Sequence, residues 1–513
     1  MDPRFADALA HLPDYFGNHV LVSMTALGLG LLVSLPLAFL CVRRPALRAV
    51  LLTATSIVQT VPGLALLALF YPLLLGAASL SAEWFGFTFS ALGFLPAVLA
   101  LALYSMLPVL RNTVTGLTTI DPAITEAAQG VGMTRSQSLR MVEVPLALPV
   151  IMAGVRTAAV WVIGTATLST PIGQTSLGNY IFSGLQTQNW IFVLFGCVAA
   201  AVLALATDQL LALIETGVRA RRRTRTVGGV AGLAAIVALA LLPNLSRGQT
   251  LYLVGAKPFS EQYILAALIK QRLDANGLAA AQRDGLGSAV ILDALTAGEI
   301  DVYVDYTGTI WANQMHRTDV APRTEVLDDV ARWLERERNV KVLGGLGFEN
   351  AYALAMTKKR ADALGIRTLA DLATQAPNLS IAGDYEFFQR PEWAELRKAY
   401  GLSFRRQRQM QAEFMYPALA SGEVDVISAY TSDGRVALYD LVVLADPKHA
   451  IPPYDAIMLI SPKRANDTAF LGALRPIVGA INVEMMRDAN ARASADGASP
   501  DQVARWLWDR IGK

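Results

Sequence analysis

At 513 residues, 53% of them hydrophobic, the chain is long enough for two or more domains, and its net charge of +2 hides a division between its halves. Residues 1–247 hold 14 arginines, 9 acids and no lysine, a balance of +5, whereas the remainder carries −3. That near-neutral second half excludes a nucleic-acid binder, which would show a basic face there, and two cysteines, Cys41 and Cys197, both inside apolar runs, exclude a disulfide framework or a thiolate metal site.

Apolar runs long enough to cross a bilayer occur at about 20–42, 50–75, 92–110, 150–170, 190–214 and 227–243. The first starts only near Val20 and is followed by more, so it reads as a span and not as a cleavable leader. Arg43, Arg44 and Arg48 follow the first run, Arg111 closes the third, Arg135 and Arg140 precede the fourth, and Arg219, Arg221, Arg222, Arg223 and Arg225 follow the fifth. The connections near 76–91 and 171–189 have no arginine. Short cytoplasmic loops retain positive charge, so the N-terminus is expected outside and everything after about Asn244 on the outer side of a plasma (inner) membrane. Pro62, Gly63 and Pro72 predict kinks in the second span. Arg156 and Asp208 fall within spans four and five, where an ionised group either pairs across helices or snorkels to the interface.

Between the third and fourth spans, Glu126–Pro149 reads EAAQGVGMTRSQSLRMVEVPLALP, a polar, helix-capable insert. Glu126-Ala127-Ala128, Gly132 after three residues, and Val142 with Val144-Pro145 after nine more resemble the EAA loop of ABC-importer permeases. The resemblance implies a short helix, a glycine turn and a second helix over about 121–149 that dock on a cytoplasmic ABC ATPase, with Glu126, Ala127, Ala128, Gly132 and Pro145 as the docking residues. A turn between short helices favours glycine at position 132, and proline at 145 suits a first helical turn.

From Leu251 short β-rich runs alternate with helical ones, an α/β pattern. Strands are predicted at 251–256, 301–306, 351–356, 379–384, 424–430, 441–446 and 456–461, with Ser260 as the N-cap of a helix that runs through Asn276 and stops at Gly277. Within this half Lys257-Pro258-Phe259-Ser260-Glu261-Gln262, Gly285-Leu286-Gly287-Ser288, Asp305-Tyr306-Thr307-Gly308-Thr309, Asn350-Ala351-Tyr352-Ala353-Leu354, Glu386-Phe387-Phe388 and Tyr430-Thr431-Ser432-Asp433-Gly434 resemble the substrate-binding proteins of quaternary-amine ABC importers for glycine betaine, choline and carnitine, ergothioneine-type fusions included. Pro258 and Ser432 depart from that family's pattern. The resemblance implies an α-helical transmembrane permease domain of about six spans over 1–247, joined to a two-lobed α/β binding domain over 248–513. Lobe 1 is then expected at about 250–350 and 450–513, and lobe 2 at about 351–449. It also implies a second copy of the chain, to complete a homodimeric pore.

A trimethylammonium group donates no hydrogen bond, so only carboxylates or aromatic faces hold it well, at roughly 0.5–2 kcal/mol per ring. Phe259, Tyr306, Tyr352 and Tyr430 adjoin strand ends where a cleft would form, and Phe387, Tyr385 and Tyr416 are further candidates. Gln262, Ser288, Thr307, Thr431 and Arg390 are candidates for the ligand's other end, together with backbone N–H groups after Ser260 or in the turn 285–288; Glu386 and Asp433 either touch the cation or cap turns. The four histidines, His11, His19, His316 and His449, are scattered, and no metal or cofactor is expected. No GxxxxGK[ST], GxSxG or HExxH run occurs, so no enzyme is expected here and a separate subunit must hydrolyse ATP. The expected function is uptake of a quaternary-ammonium osmoprotectant such as glycine betaine, choline or carnitine. The alternatives are an ergothioneine importer of the same architecture, a membrane-anchored ligand sensor and an anchored exported enzyme.

Overall fold

The computed structural model describes residues 3–511 apart from 43, 88, 188, 246–250, 318, 320, 385–386 and 495–496. The chain divides into two compact units, one of residues 1–181 and 192–248, the other of 249–513 with the segment 182–191.

Among the described residues six helices are long and apolar enough to cross a membrane: Arg4–Val42, Gly63–Phe85, Phe94–Thr118, Arg135–Ile172, Trp190–Arg219 and Arg223–Leu242. The second differs from the expected 50–75. A helix Pro45–Thr60 ends there and a new one starts at Gly63, because Pro62 offers no N–H and forces Val61 into extended backbone at φ −72°, ψ 128°. Phe94–Thr118 is the most buried of the six and packs on Pro3–Val42 and Val144–Ala166. Gly154 permits the second of those contacts, since a Cβ there would stand 2.7 Å from Pro108 O and from Asn112 Cβ. Leu194, Val198, Val202 and Leu205 form an exposed apolar stripe at helical spacing along Trp190–Arg219, a face suited to lipid. Arg156 and Asp208 do pair: Nε reaches Oδ1 and Nη2 reaches Oδ2, each at 2.8 Å, with Glu215 Oε2 3.3 Å from Nη1.

Between the third and fourth spans, Asp121 caps the helix Pro122–Gly130 by accepting from Ala123 N at 2.9 Å. Gly132 then turns the chain at φ +85°. Thr134 and Gln137 form a capping box at the start of Arg135–Ser138, which continues through a π turn, Leu139–Glu143, into Val144–Ala166 with Pro145 in its first turn. Ile124, Val131 and Met141 are exposed on this insert.

Among its described residues the second unit holds two five-stranded sheets. In chain order the strands are β1 (Tyr252–Gly255), β2 (Ala280–Arg283), β3 (Val302–Tyr306), β4 (Lys341–Glu349), β5 (Tyr352–Thr357), β6 (Ser380–Gly383), β7 (Arg406–Gln409), β8 (Val426–Tyr430), β9 (Leu441–Val443) and β10 (Asp455–Ile460). The sheet orders are β2-β1-β3-β10-β4 and β7-β6-β8-β5-β9. In each, three parallel strands are followed by an antiparallel one that directly follows a crossing between the sheets, β10 in the first and β5 in the second. β3 and β10 are buried along their whole length, as apolar central strands covered on both faces must be. The chain passes from the first sheet to the second between β4 and β5 and returns between β9 and β10, so two crossings tie the sheets together. The helix after β1 runs Ser260–Ala275, and its N-cap is Phe259 in extended backbone, not Ser260. Ser260 Oγ has no hydrogen-bond partner among the described residues.

Candidate functional site

Aromatic side chains meet where β1, β3, β5 and β8 end. Phe259 follows β1, Tyr306 closes β3, Tyr352 opens β5 and Tyr430 closes β8, directly opposite Tyr352 in the antiparallel register. The Phe259 ring lies 6.3 Å from that of Tyr430 with planes 5° apart, and 6.2 Å from that of Tyr306. Tyr352 lies 4.8 Å from Tyr430 and 5.5 Å from Phe387. Arg390, the N-cap of helix Pro391–Tyr400, places its guanidinium 5.1 Å from the centre of the Tyr352 ring. The first sheet supplies Phe259 and Tyr306, and the second supplies Tyr352, Tyr430 and Phe387.

Polar groups hold these rings in place. The Tyr430 hydroxyl donates to Asp384 Oδ2 at 2.9 Å and lies 3.2 Å from that of Tyr352. Tyr306 donates to Glu261 Oε1 at 2.5 Å and accepts from Gln262 Nε2 at 3.1 Å. Glu261 is fully buried and receives three more donors: Asn350 Nδ2 at 2.9 Å, Ser432 Oγ at 2.5 Å and Asn490 Nδ2 at 2.8 Å. Burial pushes its carboxyl above the usual range although all four bonds favour the charged form. Burial, and then the neighbouring carboxylate, likewise raises the Tyr306 and Tyr430 phenols well above their ordinary value, so both remain neutral hydroxyl donors. Lys257, 2% exposed, pairs with Asp305 at 2.5 Å, and Tyr303 donates to the same carboxylate at 2.6 Å.

The residues expected from the sequence thus divide. Phe259, Gln262, Tyr306, Tyr352, Phe387, Arg390 and Tyr430 come together. Thr307 instead donates to Pro453 O and accepts from Asp455 N, fixing the start of β10. Thr431 exchanges hydrogen bonds with the backbone of Ala351 at the crossing into the second sheet. Asp433 is taken by Arg435, whose Nη2 is 2.6 Å away, and by the Tyr416 hydroxyl at 2.7 Å; Tyr416 is buried in the core of the second sheet. Ser288 opens the helix Ser288–Thr296 and takes part in none of these contacts among the described residues. Glu386 and Tyr385 lie outside the described residues. Sequence reasoning missed Glu261 as a hub, and also Asp384 and Asn490, which hold Tyr430 and Glu261. Glu261 had a signal: a carboxylate in the first turn of a helix, next to a strand end.

Two family models match the chain. Residues 27–220 fit the binding-protein-dependent transport system inner membrane component, and residues 253–509 fit the substrate binding domain of the ABC-type glycine betaine transport system. This chain is therefore a permease fused to a substrate-binding protein, belongs to the quaternary-amine ABC importers, and is an inner-membrane transport component, not an enzyme. A relative matching along both halves is the ergothioneine transport permease/ergothioneine binding protein EgtU of Helicobacter pylori, 30% identical over 91% of this chain and 84% of its own length. The glycine betaine/carnitine/choline transport system permease protein OpuCB of Bacillus subtilis is 39% identical over 39% of this chain and 84% of its own. A solved glycine betaine/carnitine/choline ABC transporter protein covers 51% of this chain and 98% of its own, at 25% identity and a TM-score of 0.46.

Proposed function

We propose that residues 248–513 form an extracytoplasmic receptor that captures a trimethylammonium solute and passes it to a pore built from two copies of the membrane domain, residues 1–247. A separate ABC ATPase, docked on the insert at 121–149 through Glu126, Ala127, Ala128, Gly132 and Pro145, drives the transport cycle. The observation that carries this reading is the group of rings drawn from both sheets, which offers π faces to a cation that cannot donate a hydrogen bond. A cation held between two rings needs their centres roughly 9 Å apart, so that each lies within reach. The 6.3 Å between Phe259 and Tyr430 must therefore widen, and because these two rings belong to different sheets, a hinge motion about the two crossings widens it. Docking at 121–149 is supported by the exposed Ile124, Val131 and Met141 around the Gly132 turn.

Glycine betaine, choline and carnitine fit this chemistry. Ergothioneine fits it too, and is favoured by the Helicobacter pylori relative that matches both halves. Titration calorimetry of the full-length protein in nanodiscs against the four compounds tests the assignment, and heat from none of them would remove it. Tyr430→Ala and Tyr306→Ala are each expected to weaken the preferred ligand about tenfold, on the order of 1.4 kcal/mol; unchanged affinity in both would displace the site.

A further inference from the structure

The geometry points to Asp384 as a specificity-determining residue, the negative charge by which the ring site prefers a cation to a neutral group of the same shape, an inference resting on the trimethylammonium assignment above. Asp384 follows β6 at the end of the second sheet where β8 closes on Tyr430 and β5 opens on Tyr352, and it is half-buried. Its Oδ2 accepts from the Tyr430 hydroxyl at 2.9 Å and its Oδ1 from Phe387 N at 2.8 Å. The carboxylate is thereby fixed at the edge of one ring of the site by the backbone that carries another.

The charges around the rings decide the sign of the field there. Lys257 Nζ, 5.6 Å from the centre of the Tyr306 ring, is matched by Asp305 at 2.5 Å. Arg390, 5.1 Å from the centre of the Tyr352 ring, has Glu392 Oε1 3.8 Å from its Nη1. With these two cations matched, Glu261 and Asp384 tilt the field at the rings toward negative. Each accepts from a tyrosine hydroxyl, Glu261 from Tyr306 of the first sheet and Asp384 from Tyr430 of the second. A hydroxyl that donates to a carboxylate enriches its own ring in electrons, and a richer π face draws a cation more strongly. Glu261 is buried among its four donors and serves the wall itself, whereas Asp384 is open in part to solvent. A charge one hydroxyl beyond the ring edge is close enough to attract a partly desolvated cation lying on that ring. A tert-butyl group fills the same space and gains nothing from it.

Asp384→Asn keeps the side chain's shape and an acceptor for Phe387 N, and leaves an amide toward which the Tyr430 hydroxyl can turn to accept, while removing the charge. Titration calorimetry on the full chain in nanodiscs, by displacement where binding is weak, would compare choline and glycine betaine with their carbon isosteres, in which tert-butyl replaces trimethylammonium. Wild type is expected to prefer the cation to its isostere by about tenfold or more. Asp384→Asn should lose about tenfold in affinity for the cation, with the isostere within about twofold of wild type, a retention that also shows the domain is folded. Asp384→Glu, which keeps the charge, should keep most of the preference. An equal loss for cation and isostere would mean that Asp384 only holds Tyr430 in place. That result overturns the inference, as does unchanged cation affinity in Asp384→Asn, a preference lost as fully in Asp384→Glu, or a wild type that binds ergothioneine or carnitine but neither choline nor glycine betaine. Failure of wild type to bind any of these four would sink the trimethylammonium assignment as well.

Discussion

Asp433, one of the candidate ligand residues, is buried and bound within the second sheet's core by Arg435 and by the Tyr416 hydroxyl. Burial works to raise the Asp433 carboxyl, but Arg435 and the Tyr416 hydroxyl outweigh it and hold it below the ordinary carboxylate range. A carboxyl lowered in the folded state adds stability above its unfolded value, near 3.8, and loses that contribution as the pH falls through its folded value. Asp433→Asn leaves a buried guanidinium without its counter-charge and is expected to destabilise the binding domain by about 3–5 kcal/mol at pH 7. In thermal melts the gap from wild type should narrow as the pH falls below about 3.8; a gap that is constant with pH would deny the pair this role. The rings were legible residue by residue, since Phe259, Tyr306, Tyr352 and Tyr430 adjoin strand ends. Glu261 was not legible as a hub, because its partner Asn490 is 229 positions away and only folding brings them together.

Among the elements, periodicity located the apolar helices other than the second, which Pro62 shifts to Gly63–Phe85, and the seven strands richest in apolar residues. It missed the other three for separate reasons: β7 is Arg-Gln-Arg-Gln on a sheet edge, β2 is four residues on the opposite sheet's edge, and β4 is interrupted by Gly344, Gly345 and Gly347. At the same scale, the bidentate contact of Arg156 with Asp208 joins helix Val144–Ala166, which continues directly from the proposed ATPase-docking insert, to helix Trp190–Arg219. Asp208→Asn, Arg156→Gln and the double variant should therefore be non-additive in thermal inactivation in detergent, with a coupling of about 0.6–2 kcal/mol. Simple additivity would mean the two side chains act separately. Gly132→Ala places a Cβ at φ +85°, a strained conformation for any residue with a side chain. Loss of co-purifying ATPase activity is expected, with the level of the protein in the membrane unchanged.

For the whole molecule, the proposed orientation, with the binding domain outward and the insert at 121–149 inward, rests on the arginine distribution. In a background lacking Cys41 and Cys197, Lys398→Cys, at a side chain 78% exposed, should react with a membrane-impermeant maleimide in intact spheroplasts. Arg135→Cys should react only after permeabilisation, and the reverse pattern would invert the topology. By itself the sequence determined that two kinds of solvent act on this chain, because long runs without charge and short alternating runs each carry their environment in local composition. It also determined which aromatic side chains stand at strand ends. Only the tertiary structure decided which of those rings face one another, that Asp433 and Thr307 are held by the protein itself, and that Glu261 joins groups from both sheets. Those outcomes depend on the register and on the two chain crossings, which bring together positions far apart in sequence.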